Sequence, residues 1–133
     1  MANIQSISRG YKTSSYESNY KPATGKTLVA GNLVIPTDAE TVDLGTCADG
    51  ENKPVYMILE GNDTYSGNLT GKVVCLGGIF ETTVSEYNTG SFVVNAPLTV
   101  ANGKFSVHSG TKKVVGHVLD FSLDKGLKVR FNA

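Results

Sequence analysis

Asn95-Ala96-Pro97-Leu98-Thr99-Val100-Ala101-Asn102-Gly103-Lys104-Phe105-Ser106-Val107 decides the fold. Apolar and polar residues alternate on both sides of Asn102-Gly103, and a two-residue Asn-Gly is the strongest short-range signal for a β-hairpin. Leu98 and Val100 point to one face, with Phe105 and Val107 opposite them across the turn. A second alternating ribbon follows Ser109-Gly110. Its Val115, His117, Leu119, Phe121 and Leu123 are expected to share a face. Asp124-Lys125-Gly126 turns the chain, after which Leu127, Val129 and Phe131 point inward and Lys128 and Arg130 outward. The C-terminal third is thus expected to be an antiparallel meander with one dry side.

Upstream, short apolar runs separated by turns continue the β pattern. Leu28-Val29 and Leu33-Val34-Ile35 flank Ala30-Gly31-Asn32, and Val42 and Leu44 alternate with Thr41 and Asp43. Val55-Tyr56-Met57-Ile58-Leu59 is apolar on both faces, as a central strand covered on both sides would be. Lys72–Leu76 and Ile79–Tyr87 read as strands hinged at Gly77-Gly78, and Ser91–Val94 as another. Fifteen glycines and no helical period point to an all-β barrel or sandwich, and a mid-strand Gly116 suits a bend or a close backbone approach. Leu98, Val100, Phe105, Val107, Val115, Gly116, Leu119, Phe121, Val129 and Phe131 are the residues expected to define it. We expect roughly seven to nine strands between Thr27 and Ala133.

Residues 1–26 differ in composition. Between Gln5 and Lys26 there is no Leu, Val, Phe or Met, while Tyr11, Tyr16 and Tyr20 stand in a Ser/Lys/Asn background. Arg9, Lys12, Lys21 and Lys26 against Glu17 make the segment +3, although the 133-residue chain has no net charge. Such a stretch has too little apolar surface to fold alone. It reads as an extended polar arm preceding a single domain at 27–133. Tyr11, Tyr16 and Tyr20 would anchor it on a partner, with Arg9, Lys12 and Lys21 against acidic surfaces. The plainer alternative is a terminus whose tyrosines lie on their own domain.

The zero net charge argues against electrostatic capture of nucleic acid. No apolar run approaches the roughly 20 residues that span a membrane as a helix. Met1–Ser6 has neither the basic start nor the apolar stretch of a secretory signal, so retention in the compartment of synthesis is expected. Cys47 and Cys75 lack metal or redox spacing. Cys75 is most simply a small buried residue, and a disulfide between the two is the lesser alternative.

His117 falls in phase with Val115 and Leu119, suggesting a hydrogen-bonded core or interface histidine. His108 looks like a surface residue. No nucleophile elbow or phosphate loop occurs. Asp49, Glu51 and Asp63 lack EF-hand spacing and offer at most a weak surface cation site. The expectation is a protein that is not an enzyme and uses no cofactor or metal. Two sequons, at Asn62 and Asn68, read as chance matches in a polar loop. A carbohydrate-binding or host-adhesion domain displayed on a virion is the rival reading. Its stacking platform would fall to Tyr65 and Tyr87, because Trp is absent. A trimeric pyrophosphatase of the dUTPase type fits the length but not the motifs.

Ala96–Phe105, then Lys113-Val114-Val115-Gly116-His117-Val118-Leu119, resembles the head decoration (cement) proteins of tailed bacteriophages. In that family a small-Pro-Leu hairpin around a Gly turn precedes a strand of the form hydrophobic, Gly, any residue, hydrophobic. Leu28-Val29-Ala30-Gly31-Asn32-Leu33-Val34 also resembles the opening of these proteins, so the likeness covers about a hundred residues. It implies a non-enzymatic structural protein on the outer surface of the virion capsid, made in the host bacterial cytoplasm. Its partner would be the major capsid protein, whose neighbouring subunits it bridges in the expanded head. The resemblance further implies a homo-oligomer, with a trimer favoured, and a terminal arm that reaches onto neighbouring subunits.

Overall fold

The computed structural model of the chain describes residues 5–6, 14–18, 20–26, 28, 31–58, 72–82 and 87–132. The fold is all-β, with no helix among the described residues. Among the described residues eleven strands occur: β1 (Gln5–Ser6), β2 (Ser14–Ser18), β3 (Lys21–Pro22), β4 (Leu33–Pro36), β5 (Thr41–Leu44), β6 (Tyr56–Ile58), β7 (Lys72–Thr82), β8 (Pro97–Ala101), β9 (Lys104–Val107), β10 (Gly116–Ser122) and β11 (Gly126–Asn132). Eight of them follow Thr27, within the range expected.

The organising element is β7. Val74 and Cys75 pair with both β6 and β2, Phe80 and Glu81 with both β11 and β1, and Gly77 with both Asn132 and Ser14. A strand residue has one partner on each edge, so β6 and β11 lie end to end along one edge of β7. The N-terminal β1 and β2 line the other edge. From the first edge grow two series of strands, β6-β4-β5-β3 and β11-β10-β8-β9. Among the described strands every pairing is antiparallel except that of β3 with β5. One sheet curls into a half-barrel. The hinge expected at Gly77-Gly78 does not split the strand, because β7 is continuous from Lys72 to Thr82. What changes near Gly77 is the neighbour on its edge.

The main core contains Leu33, Cys47, Val55, Met57, Leu98, Val100, Phe105, Val115, Val118, Leu127, Val129 and Phe131, with the Phe105 and Phe131 rings edge to face at 6.2 Å. Leu28, Val34, Val42 and Ile58 form a second cluster with Tyr20, Leu44 and Tyr56 packed against it. Met57 serves the first cluster and Ile58 the second, as do Leu33 and Val34. The short strand β6 is therefore buried on both sides, as its uninterrupted apolar run requires. At about 25 cal/mol per Å² of apolar surface, these side chains supply the main drive to fold.

The β8–β9 hairpin forms in the expected register, Leu98 opposite Val107 and Val100 opposite Phe105. Asn102 (φ 52°) and Gly103 (φ 77°) are both left-handed, the type I′ geometry that matches strand twist. Val107 is nevertheless 41% exposed and contributes little to the core. The phase of β10 differs from the sequence reading. Val115 is buried just before the strand, Gly116 and Val118 face inward, and His117 is exposed. Between Val118 (opposite Val129) and Asp120 (opposite Lys128), Leu119 has no partner. This β-bulge shifts the alternation. Leu119 and Phe121 are half-buried, and Leu123 is 84% exposed in the turn. His117 is thus a surface residue rather than a core histidine. Ser91–Val94 is a loop ending in a turn rather than a strand.

The polar N-terminal segment carries three strands of the sheets. Ala23 N–H also donates to Val42 O at 2.9 Å, and the ring of Tyr20 stacks on Tyr56 at 5.9 Å. Packing of the body therefore begins by Tyr20 instead of at Thr27. The reason is that edge pairing draws on backbone hydrogen bonds and needs no aliphatic side chains.

Candidate functional site

The tip of the β8–β9 hairpin closes against the other sheet. Leu33 N–H donates to Gly103 O at 2.8 Å, Gly103 N–H to Gly45 O at 2.9 Å, and Gly45 N–H to Leu33 O at 2.9 Å. Cys47 N–H reaches Val100 O at 3.3 Å, and Asn102 N–H donates to Thr46 Oγ1 at 2.9 Å. Glycine is required at the contact. A Cβ on Gly103 would collide with Leu44 Cδ2 and lie 3.3 Å from Leu33 O, at a φ that side chains rarely adopt. Cys47 is buried as a free thiol in this seam, so the disulfide alternative does not hold.

A second clamp joins the loop at Asp49 to the loop at Thr111. Asp49 Oδ1 accepts the Thr111 N–H at 2.8 Å, and Gly50 N–H donates to Thr111 O at 3.2 Å. The Thr111 amide, followed by the nearby Lys112 ammonium, holds the Asp49 carboxyl below its ordinary pKa. Glu51 accepts the Ala48 N–H at 2.8 Å and pairs with Lys53 at 2.9 Å. Lys53 and then Ala48 lower the Glu51 pKa, and Glu51 in turn raises that of Lys53. His108 Nε2–H donates to Lys112 O at 2.7 Å. These groups hold loops together. Among the described residues no three His, Cys, Asp or Glu side chains gather into a metal-binding group. Asp63, the third carboxylate of the weak cation site, lies outside the described residues.

The tyrosines divide. Tyr87 is buried, with Phe92 and Phe121 edge-on at 5.3 and 5.6 Å. It cannot stack a sugar from solvent, and Tyr65, the other half of that platform, lies outside the described residues. Beside this aromatic group Val93 and Val94 are more than half exposed, surface that the expected strand at 91–94 had concealed. Of the arm residues, Arg9, Tyr11 and Lys12 lie outside the described residues. Tyr16 is placed by its backbone opposite Val74, and Lys21 opposite Thr41. Tyr20 rests on Tyr56 within its own fold, the position that the plainer reading of the segment assigns to it.

Thr46, Tyr56 and Phe92, which sequence reasoning did not single out, hold these contacts. Their partners are distant in the chain, so no local pattern marks them. No protein-family model matches the chain, and no curated protein matches its sequence at a significant level.

Proposed function

We propose that this protein is a non-enzymatic structural protein that decorates the expanded head of a tailed bacteriophage and stabilises it by bridging neighbouring major capsid protein subunits. The observation that carries the proposal is spatial. Three separate stretches bear the resemblance, Leu28–Val34, Ala96–Phe105 and Lys113–Leu119, and described residues of the first and third both bond to the β8–β9 hairpin in the second. Leu33 N–H meets Gly103 O at 2.8 Å, and Val115 N–H meets Leu98 O at 2.8 Å.

The physical logic follows from linkage. A ligand that recognises only the expanded lattice adds its binding free energy to that state alone. Repetition over many equivalent sites makes modest affinity at each sufficient. A stiff body suits this task, and clamps at Gly103 and Asp49 provide stiffness. Val93, Val94 and Leu123 offer exposed apolar surface for contact. Within the polar segment 1–26, β1 and β2 line the outer edge of β7, and Arg9, Tyr11, Lys12, Tyr16 and Lys21 are the side chains it would offer to a neighbouring subunit.

Mass spectrometry of purified heads of the encoding phage tests this reading. High copy number in the head, with co-sedimentation on expanded but not unexpanded shells, is expected. Absence from the head, or saturable glycan binding on an array, would overturn it.

A further inference from the structure

An asparagine followed by glycine is chemically labile, because no side chain on the glycine hinders attack by its nitrogen. In that reaction the Gly103 nitrogen gives up its proton and bonds to Asn102 Cγ. Ammonia leaves with the amide nitrogen, and a five-membered succinimide closes. Water then opens the ring at either carbonyl, leaving aspartate or iso-aspartate. No other reactant is needed.

In the closed seam the dipeptide is held away from this path. The attacking nitrogen spends its proton on Gly45 O at 2.9 Å, and the Asn102 N–H is fixed on Thr46 Oγ1 at 2.9 Å. Rotating the intervening peptide to bring nitrogen and Cγ together would break the first bond. The turn is also closely covered on one side, where a Cβ added to Gly103 would collide with Leu44 and crowd the Leu33 carbonyl. The Asn102 side chain itself is exposed, so water and base have access once the tip lifts.

We propose that Asn102 is a conformation-gated deamidation site, protected while the hairpin tip is docked on Gly45 and Thr46 and reactive when it opens. The product makes the opening permanent. Iso-aspartate inserts an additional methylene into a two-residue turn whose two left-handed residues fix its shape. Either product also adds a carboxylate beside a seam built from the carbonyls of Leu33 and Gly45. The modification therefore records how often the half-barrel has opened.

The reaction rate in the folded protein should equal the unfolded rate multiplied by the fraction of time the tip is open. Peptide mapping by mass spectrometry, on the full chain held at mildly alkaline pH, reads the exchange of amide for carboxyl at Asn102. We expect the native protein to react at least about tenfold more slowly than the same chain unfolded in guanidinium chloride. Thr46→Ala should accelerate the native reaction several-fold without changing the rate in guanidinium. Hydrogen exchange at the Gly103 amide should accelerate by the same factor. Val129→Ala, a remote substitution in the core, separates local from global opening. If it raises the native rate as much as Thr46→Ala at equal loss of overall stability, gating by the tip is refuted. Equal native and unfolded rates in the parent chain would refute the proposal outright.

Discussion

Gly116→Ala tests a tight approach between two paired backbones. Gly116 lies on β10 opposite Phe131, and an added Cβ would sit 2.5 Å from Arg130 O and 3.5 Å from Phe131 Cα. Backbone atoms in a paired strand cannot swing aside as a side-chain end can. The strands must separate, loosening the β10–β11 pairing above Phe131. Overpacking of this kind costs about 1–3 kcal/mol, and the rigid obstacle places this case near the upper end. Gly25→Ala is the matched control. Gly25 has φ +79° and nothing within 4 Å of its would-be Cβ, so it isolates conformational strain from collision. Its left-handed cost is about 1–2 kcal/mol, reduced by the smaller entropy of the unfolded alanine chain. For a domain of this size we expect thermal melting to fall by about 10 °C for Gly116→Ala and about 3–5 °C for Gly25→Ala. Circular dichroism melts give the shifts, and urea titrations should show an unchanged m-value, as expected when stability alone changes. A Gly116→Ala loss no larger than that of Gly25→Ala would refute the close approach and the β10–β11 register on which it depends.

Three further outcomes follow from named contacts. Asp49 has a folded pKa below its unfolded one, so its clamp is intact above the ordinary carboxylate range and is lost as pH falls through the folded value. Hydrogen exchange at the Thr111 amide should therefore accelerate on acidification, and Asp49→Asn should flatten that dependence. In a Cys75→Ala background, Cys47 should resist a thiol reagent until the protein unfolds, because it is 1% exposed; fast reaction in native buffer would contradict its burial. Deleting residues 1–19 retains Tyr20 and β3, whereas deleting 1–26 removes the Tyr20–Tyr56 stack and the bond from Ala23 to Val42. An aromatic pair adds about 0.5–1.5 kcal/mol beyond area burial, so the longer deletion should melt several degrees lower. Equal melting temperatures would place Tyr20 outside the fold.

The parts of this fold that were legible in the sequence are those whose determinants are local. Asn102-Gly103 encodes its own turn type, and the flanking alternation then fixes the pairing of Leu98–Ala101 with Lys104–Val107. Leu127, Val129 and Phe131 keep strict period two and are all buried. The same rule failed one strand earlier because it assumes an unbroken pleat. A single unpaired Leu119 reverses the phase, and nothing in Gly116–Ser122 announces a bulge. The phase read from Phe121 therefore does not extend back past the bulge, and Val115, buried ahead of the strand, does not set the phase of His117, which is exposed. The N-terminal strands were illegible for a different reason. Ser14–Ser18 contains no apolar pattern, and its pairing depends on an edge of β7 nearly sixty residues away.

The candidate site follows the same division. Glycines at the seam signal a tight turn, but not that the turn docks on Gly45 and Leu33. Asp49-Gly50 signals another, but not its clamp to Thr111. What the sequence lacks in both cases is the partner, and both partners arrive through sheet curvature. That curvature also bears on the proposed role. Closure at Gly103 and the clamp at Asp49 both tie the segment after β5 to the C-terminal hairpins, so a force applied to either sheet is transmitted to the other. A lattice under strain is braced by a body that resists shear between its contact surfaces, and cutting either tie should weaken that resistance before it abolishes the fold. Asp49→Ala and Thr46→Ala, both at exposed positions, are therefore expected to reduce the stabilisation of expanded shells against heat more than they lower the melting temperature of the free protein. Differential scanning calorimetry of decorated shells measures the first and of the isolated chain the second. If the two fall in proportion, these ties act through overall stability alone and the bracing argument fails.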